Sequence, residues 1–128
     1  MAERAEDWFR QAGHDLEHAR KALVGGDFEW ACFAAHQAAE KALKALFQKA
    51  GEEARGHSVL DLLAGLREVS PQPAVQAAAR ALDRHYIPAR YPNAYPKGAP
   101  HEFYTEADAS RAIADSEQIL RFCQDLLA

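Results

Sequence analysis

The chain has few cysteines and no long apolar run. Its two cysteines, Cys32 and Cys123, lie inside apolar helical patterns without metal-ligand spacing. We therefore expect two buried thiols in a reducing compartment rather than a disulfide. No apolar stretch approaches the ~18 residues of a membrane span, and the N-terminal residues are too charged for a secretory signal. These absences predict a cytoplasmic protein with no membrane partner.

The chain also lacks a basic excess and the common catalytic signatures. Its net charge of −4 excludes a general nucleic-acid coat protein, although a local basic patch remains compatible with it. There is no Gly-rich phosphate loop, nucleophile elbow or paired-carboxylate signature. No two of five histidines have the sequence spacing of a metal-ligand pair, and these five are His14, His36, His57, His85 and His101. We predict no metal site and no cofactor, and we expect His57 to contact local backbone.

What the chain does contain is helical periodicity, sufficient for one domain over residues 1–128. Five helical segments are predicted, and no segment shows strand alternation. The first helix ends at Gly25–Gly26, and the second is capped by Asp27 and stops at Gly51. The third begins with a Ser58/Asp61 capping box, the fourth begins at Ser70–Pro71, and the last is capped by Thr105 and Asp108. The predicted fold is all-α: an antiparallel up-and-down bundle of four main helices plus a shorter one, with a long Pro/Tyr-rich loop before the last helix.

The second helix has two unlike faces. One face is made of small residues that let a neighbouring helix come close, namely Ala31, Ala35, Ala38, Ala39, Ala42 and Leu46. The other is a polar stripe of His36, Gln37, Glu40, Lys41 and Lys44, with Phe33 and Phe47 among them. Because a solvated face rarely carries two phenylalanines, we expect a second subunit or a ligand to cover part of this stripe. Its donors and cations suit a ligand that carries phosphate, whereas ordinary solvated ion pairs are the alternative.

A second group of candidate residues lies around the long loop, residues 87–104. Four of the six prolines fall in this loop, and its four aromatic residues predict packing against the helices. The candidates are Arg84, His85, Arg90, Tyr91 and Asn93. From Arg80 to His101, three Arg and one Lys face a single acid, Asp83. Arg90 could contact a phosphate beside a stacking tyrosine, or it could pair with Asp83 and fix the loop.

Several of these segments together resemble the HEPN domain family. They are Trp8 with Asp15–Leu16, the Gln-Ala-Ala-Glu-Lys run from Gln37, Gly56–His57–Ser58, the stretch from Leu82 to Pro92, and Tyr104–Thr105. The resemblance implies a helical bundle that is usually a homodimer, found in prokaryotes and often encoded beside a minimal nucleotidyltransferase. Some such pairs act as toxin and antitoxin.

Other branches of that family are metal-independent ribonucleases that use an Arg, four to six intervening residues and a His. Counted from Arg90, the required histidine would fall at Tyr95, Pro96 or Lys97. Arg80 and His85 have the spacing, but on one continuous helix their side chains would diverge by about 140°. The ribonuclease signature is therefore not met.

The sequence favours a non-catalytic HEPN protein that binds a nucleotide or an RNA segment and serves as a subunit of a minimal nucleotidyltransferase. The predicted ligand-binding residues are His36, Gln37, Lys41, Lys44, Arg84, Arg90, Tyr91 and Asn93. Two alternatives stay open. One is a ribonuclease built from Arg84 or Arg90 of one subunit with His85 or His101 across the dimer. The other is an interaction module without a ligand, for which Trp30 at the edge of the polar stripe is an interface anchor.

Overall fold

A computed structural model describes residues 2–128, with side chains from Arg4 onward, so that Met1 of the predicted domain lies outside this range. The described chain is all-helical, and the predicted fold class is confirmed. The helices are α1 (Ala2–Val24), α2 (Phe28–Lys49), α3 (Val59–Ala64), α4 (Pro73–Asp83), α5 (Pro100–Phe103) and α6 (Glu106–Leu127), with a 3-10 turn at Pro92–Ala94. Among these, none is long and apolar enough to cross a membrane.

Helix α2 is the centre of the bundle and packs against α1 and α6. The small-residue face predicted for α2 is buried throughout, with Ala31, Ala35, Ala38, Ala39 and Ala42 completely inaccessible to solvent. Since alanine side chains keep the helix axes close, larger residues on the neighbours fill the remaining space. Ser116 of α6 donates its hydroxyl to the Ala35 carbonyl at 2.8 Å, which adds a polar link inside this apolar layer.

The helix boundaries follow the sequence signals in part. Thr105 and Asp108 form the predicted capping box at the start of α6, with bonds of 3.2 and 2.9 Å. Gly26 takes the left-handed conformation, φ 81°, and closes α1. Asp27 directly precedes α2, as predicted, but its side chain forms no capping hydrogen bond there. Its backbone N–H donates to the Ala22 carbonyl of α1.

Two boundaries of α4 differ from the prediction. The helix begins at Pro73 instead of Ser70–Pro71, so a later proline occupies the first turn, where its missing N–H has no cost. It ends at Asp83, and a series of turns carries the chain from Arg84 to Arg90. His85 and Tyr86 therefore lie outside the helix, and the divergence expected for Arg80 and His85 on one continuous helix does not apply.

The Pro/Tyr-rich loop packs against the helices through Tyr104, which contacts the core, whereas Tyr91 and Phe103 are about half exposed. The Tyr95 ring stacks on Phe103 with 4.7 Å between centroids, and its hydroxyl donates to the Pro88 carbonyl at 2.8 Å. Gly98 has φ 87°, and a Cβ there would lie 2.9 Å from the Phe103 ring. Only glycine fits at this point, so the loop has a defined path.

Candidate functional site

The polar stripe of α2 is covered by the chain itself. His36 is completely buried and Glu40 is 4% exposed. Three side chains cover it: His57 from the segment before α3, Asp83 from the end of α4, and Tyr86 from the turns that follow α4. The expectation that a subunit or ligand covers this stripe is therefore wrong for its centre, because sequence periodicity cannot show which later segment folds back.

Asp83 joins three helices through four hydrogen bonds. Its carboxylate accepts from the backbone N–H groups of Val59 and Leu60 at 2.7 and 3.1 Å, and from the Ser58 hydroxyl at 2.8 Å. His36 Nε2 lies 3.2 Å from the same carboxylate. Burial alone would raise the pKa of Asp83, but these hydrogen bonds, the one to His36 first, outweigh it and leave that pKa below its ordinary value.

These bonds correct two of the predictions. Asp83 does not pair with Arg90, because its oxygens are already engaged by α2 and by the N-terminus of α3. His36 does not face a ligand, because it is enclosed beside Asp83. At the start of α3, the Ser58 hydroxyl accepts from the Asp61 N–H at 3.1 Å as predicted, but the carboxylate that completes the cap belongs to Asp83.

Glu40 is the centre of a second group of buried hydrogen bonds beside that of Asp83. We call the two groups the Asp83 junction and the Glu40 junction. One carboxylate oxygen lies 3.2 Å from Lys44 Nζ, and the other lies 3.1 Å from His57 Nδ1 and 3.4 Å from Gln37 Nε2. The predicted link between Glu40 and Lys44 is present. The expectation that His57 contacts local backbone is wrong, since its partner is a side chain 17 residues away in sequence.

Lys41 and Lys44 are both paired with carboxylates. Lys41 donates to Asp15 of α1, and Lys44 is 13% exposed beside Glu40. Lys41 lines a hollow of about 340 Å³ with Arg4, Asp7, Trp8 and Gln11. Phe33 and Lys41 are eight residues apart, or about 12 Å along the helix axis. Lys41 pairs with Asp15 of α1, whereas Phe33 lies beneath Arg90. The predicted stripe is thus divided between two places.

Arg90 is held on a platform of aromatic rings, which we call the aromatic platform and define as Phe33, Tyr86 and Tyr91. The guanidinium carbon lies 4.4, 4.6 and 5.0 Å from the centroids of these three rings. Its Nε–H donates to the Tyr86 carbonyl at 2.9 Å. Within residues 2–128, no carboxylate pairs with Arg90 at salt-bridge distance. Its positive charge is therefore oriented but not neutralised locally.

The surface next to the aromatic platform is exposed and partly apolar. Tyr91 and Asn93 line a hollow of about 550 Å³ with Ile87 and Pro92. Tyr91 is 48% exposed, and Trp30, whose ring meets Phe33 edge-on at 6.1 Å, is 49% exposed. Of the predicted ligand-binding residues, the structure thus brings Arg90, Tyr91 and Asn93 together on the turns after α4.

Within the described part of one chain, no side-chain hydrogen bond joins the arginines of the ribonuclease alternative to its histidines. His85 Nδ1 lies 2.9 Å from the Tyr104 hydroxyl oxygen, and burial lowers the pKa of His85. Burial also raises the pKa of Tyr104, so the phenol stays neutral. His101 is exposed on α5, and Arg84 is exposed in the turns before Arg90. His85 is thus largely enclosed beside Tyr104, whereas His101 is exposed to solvent.

Sequence reasoning missed three features. Asp83 and Glu40 were not identified as junctions, and the only signal was their position beside polar residues on amphipathic helices. The third is the His-x-x-x-His spacing of His14 and His18, since His18 was left out of the comparison of histidines. They are four residues apart and exposed on α1, which puts both imidazoles on one face. The part of the chain that the structure describes holds no group of three or more His, Cys, Asp or Glu residues suited to a metal ion.

Comparisons with known proteins agree on one family. The family model for the HEPN domain matches residues 5–126. The protein TT1696 from Thermus thermophilus is 48% identical, with 95% of this chain and 97% of that chain covered and a TM-score of 0.93. ST0689, described as an archaeal HEPN homologue, is 44% identical over 97% of this chain and 98% of that chain, with a TM-score of 0.83.

A third structure, an HEPN domain protein from Thermotoga maritima, is 39% identical over 94% of this chain and 97% of that chain, with a TM-score of 0.76. A search of curated proteins finds no match. The family match covers nearly all of the chain, and the structural relatives agree in fold and in length. The chain belongs to the HEPN domain family.

Proposed function

We propose that this HEPN protein is a non-catalytic subunit that binds a nucleotide at Arg90 and the aromatic platform. The observation that carries the proposal is the state of Arg90. Its guanidinium carbon lies within about 5 Å of three ring centroids, its Nε–H donates to the Tyr86 carbonyl, and no carboxylate pairs with it within the described residues. A charged group held in this way loses little conformational freedom when it binds phosphate, which favours anion binding.

The surrounding charges support this proposal. The carboxylates of Asp83 and Glu40 are hydrogen-bonded to His36 and Lys44, so neither of them pairs with Arg90. Arg84 adds an exposed cation to the same turns. A base could stack on the exposed ring of Tyr91, an interaction that contributes about 1–3 kcal/mol per base.

The distribution of cations favours a small nucleotide over a long RNA strand. Binding a strand requires a continuous track of free cations along the protein. Here Arg4, Arg10, Arg20, Lys41 and Lys44 all pair with carboxylates. With a net charge of −4, the protein offers phosphate a short patch near Arg90 rather than a track.

The proposal includes two protein partners in the cytoplasm. One is a second copy of the chain, and the other is a separately encoded minimal nucleotidyltransferase, in an arrangement like that of a toxin and its antitoxin. The half-exposed apolar side chains of Trp30, Ile87 and Tyr91 border Arg90 and supply apolar contact area for such a partner. A partner enzyme seated there would receive the nucleotide directly.

Titration calorimetry with ATP tests the nucleotide site. We expect Arg90→Gln to weaken ATP binding by about 10- to 100-fold, as the loss of a charged hydrogen bond of about 1.5–3 kcal/mol requires. The matched control is Arg121→Gln, an exposed arginine on α6, which should leave the affinity unchanged. The helical circular dichroism at the titration temperature should be alike for all three proteins, while Arg90→Gln should melt at a somewhat lower temperature because it loses its contacts with the aromatic platform.

Two results would contradict the proposal. One is equal ATP affinity in the wild type and Arg90→Gln. The other is metal-independent cleavage of RNA by the purified protein that disappears in His85→Ala, which would support the ribonuclease alternative instead.

A further inference from the structure

His57 has one ring nitrogen held by a buried carboxylate and the other exposed to solvent. Its Nδ1 lies 3.1 Å from Glu40, which is almost fully buried, while 55% of the imidazole side chain is exposed. The ring stacks on Tyr86 with 4.9 Å between centroids and 17° between planes. Nε2 forms no hydrogen bond within the described residues. One edge of this imidazole is thus fixed by the protein, and the other edge is free.

The charge balance around Glu40 leaves His57 available to an anion. Lys44 already neutralises the Glu40 carboxylate at 3.2 Å, so Glu40 orients the imidazole without needing its charge. Around His57, His36 and Asp83 bond each other, Tyr86 stacks on the imidazole, and Arg90 lies over the same Tyr86 ring. The exposed charged residues that flank His57 in sequence are Glu53, Arg55 and Asp61.

His57 and Arg90 share one aromatic neighbour. The imidazole centroid and the guanidinium carbon each lie within 5 Å of the Tyr86 ring centroid. The imidazole centroid and the guanidinium carbon are therefore no more than about 10 Å apart. A chain of two or three phosphates spans such a separation more readily than a single phosphate group does.

We infer that His57, oriented by Glu40, is a second phosphate contact of the Arg90 site, and that the site takes a nucleoside di- or triphosphate in preference to a monophosphate. This inference rests on the proposed function, because it adds a contact to the same site. Glu40 acts as a positioning residue whose carboxylate accepts from Nδ1–H of His57. Nε2–H donates to a phosphate oxygen when the ring is the doubly protonated imidazolium, in which both nitrogens are donors.

Calorimetry with ATP and AMP tests the inference in four proteins. We expect the wild type to bind ATP about tenfold more tightly than AMP. His57→Ala should lose about tenfold in ATP affinity and little in AMP affinity, whereas His57→Gln, which keeps an amide donor, should recover part of the loss. His18→Ala removes an exposed histidine on α1 and should change neither affinity.

A spectroscopic measurement separates contact from mere structural support. In ¹⁵N-labelled protein, ATP should shift the Nε2 resonance of His57, which is assigned by its absence in His57→Gln. Unchanged ATP affinity in His57→Ala together with weaker binding in Arg90→Gln would overturn this inference and leave the proposed function intact. Absence of ATP binding in the wild type would overturn both.

Discussion

At the scale of single residues, the buried polar side chains explain how α3 and α4 are attached to the bundle. His36 and Glu40 occupy positions on α2 that periodicity identifies as polar, and the structure buries both. Each is tolerated because a partner from later in the chain completes its hydrogen bonds. The sequence predicts the polarity of these positions but not their partners, because Asp83 and His57 lie 47 and 17 residues further on.

The Asp83 junction predicts an acid-sensitive contribution to stability. Hydrogen bonds hold the pKa of Asp83 below the ordinary 3.8, so the unfolded chain takes up the proton first as the pH falls. The stabilisation is therefore complete above pH 3.8 and is lost as the pH drops below it. Asp83→Asn should cost about 1–3 kcal/mol near neutral pH and should remove this part of the pH dependence.

Urea unfolding followed by circular dichroism between pH 7 and pH 2.5 measures this effect. The control is Asp61→Asn, an exposed carboxylate on the same short helix, which should change the free energy of unfolding by less than about 0.5 kcal/mol. If Asp83→Asn followed the wild-type pH profile with no loss of stability at pH 7, Asp83 would not be the junction described above.

The two cysteines predict a thiol-inert native protein. Both are free and buried, as the sequence indicated, and burial raises the pKa of Cys32 to about 12 and that of Cys123 as well. At pH 8 the thiolate fraction of Cys32 is then about 10⁻⁴. An aromatic disulfide reagent should label neither thiol in the native protein and both in guanidinium chloride. Rapid labelling without denaturant would contradict the packing around them.

At the scale of elements, local signals predicted the long helices and failed where the chain turns. The Thr105/Asp108 capping box and the Gly26 cap are complete within a few residues, so the sequence reveals them. The end of α4 at Asp83 coincides with the bonds of Asp83 to α2 and α3. Pro88 shows only that the helix cannot continue through the following turns, not where it ends. That boundary matters most for function, since the turns that follow it carry Arg90 onto the aromatic platform.

The alanine face of α2 predicts sensitivity to added volume. Ala38 is completely buried in the central helix, where a larger side chain would force the neighbouring helices apart. Ala38→Leu should lower the free energy of unfolding by about 1–3 kcal/mol, as overpacking of a core does. Ala77→Leu on the exposed side of α4 makes the same chemical change and should be nearly neutral. Equal stability of the two variants in urea would show that the layer is loosely packed.

At the scale of the whole molecule, the fold could be predicted far better than the site. Helical periodicity and the family resemblance each indicate the all-α bundle. The predicted site was assembled from α2 and the loop as one groove, but the bundle engages Lys41 and Lys44 with carboxylates and encloses His36. Arg90, Tyr91 and Asn93 stay together because they are close in sequence, and a sequence gives no information on which cations are neutralised by distant residues.

A map of backbone amide shifts during titration with ATP tests the central claim most directly. We expect shifts concentrated at residues 84–93 and around Phe33 and His57, with α6 beyond Ser116 unaffected. An unchanged spectrum would contradict the claim. So would shifts centred on the apolar hollow formed by Phe47, Leu66 and Leu126 at the other end of α2.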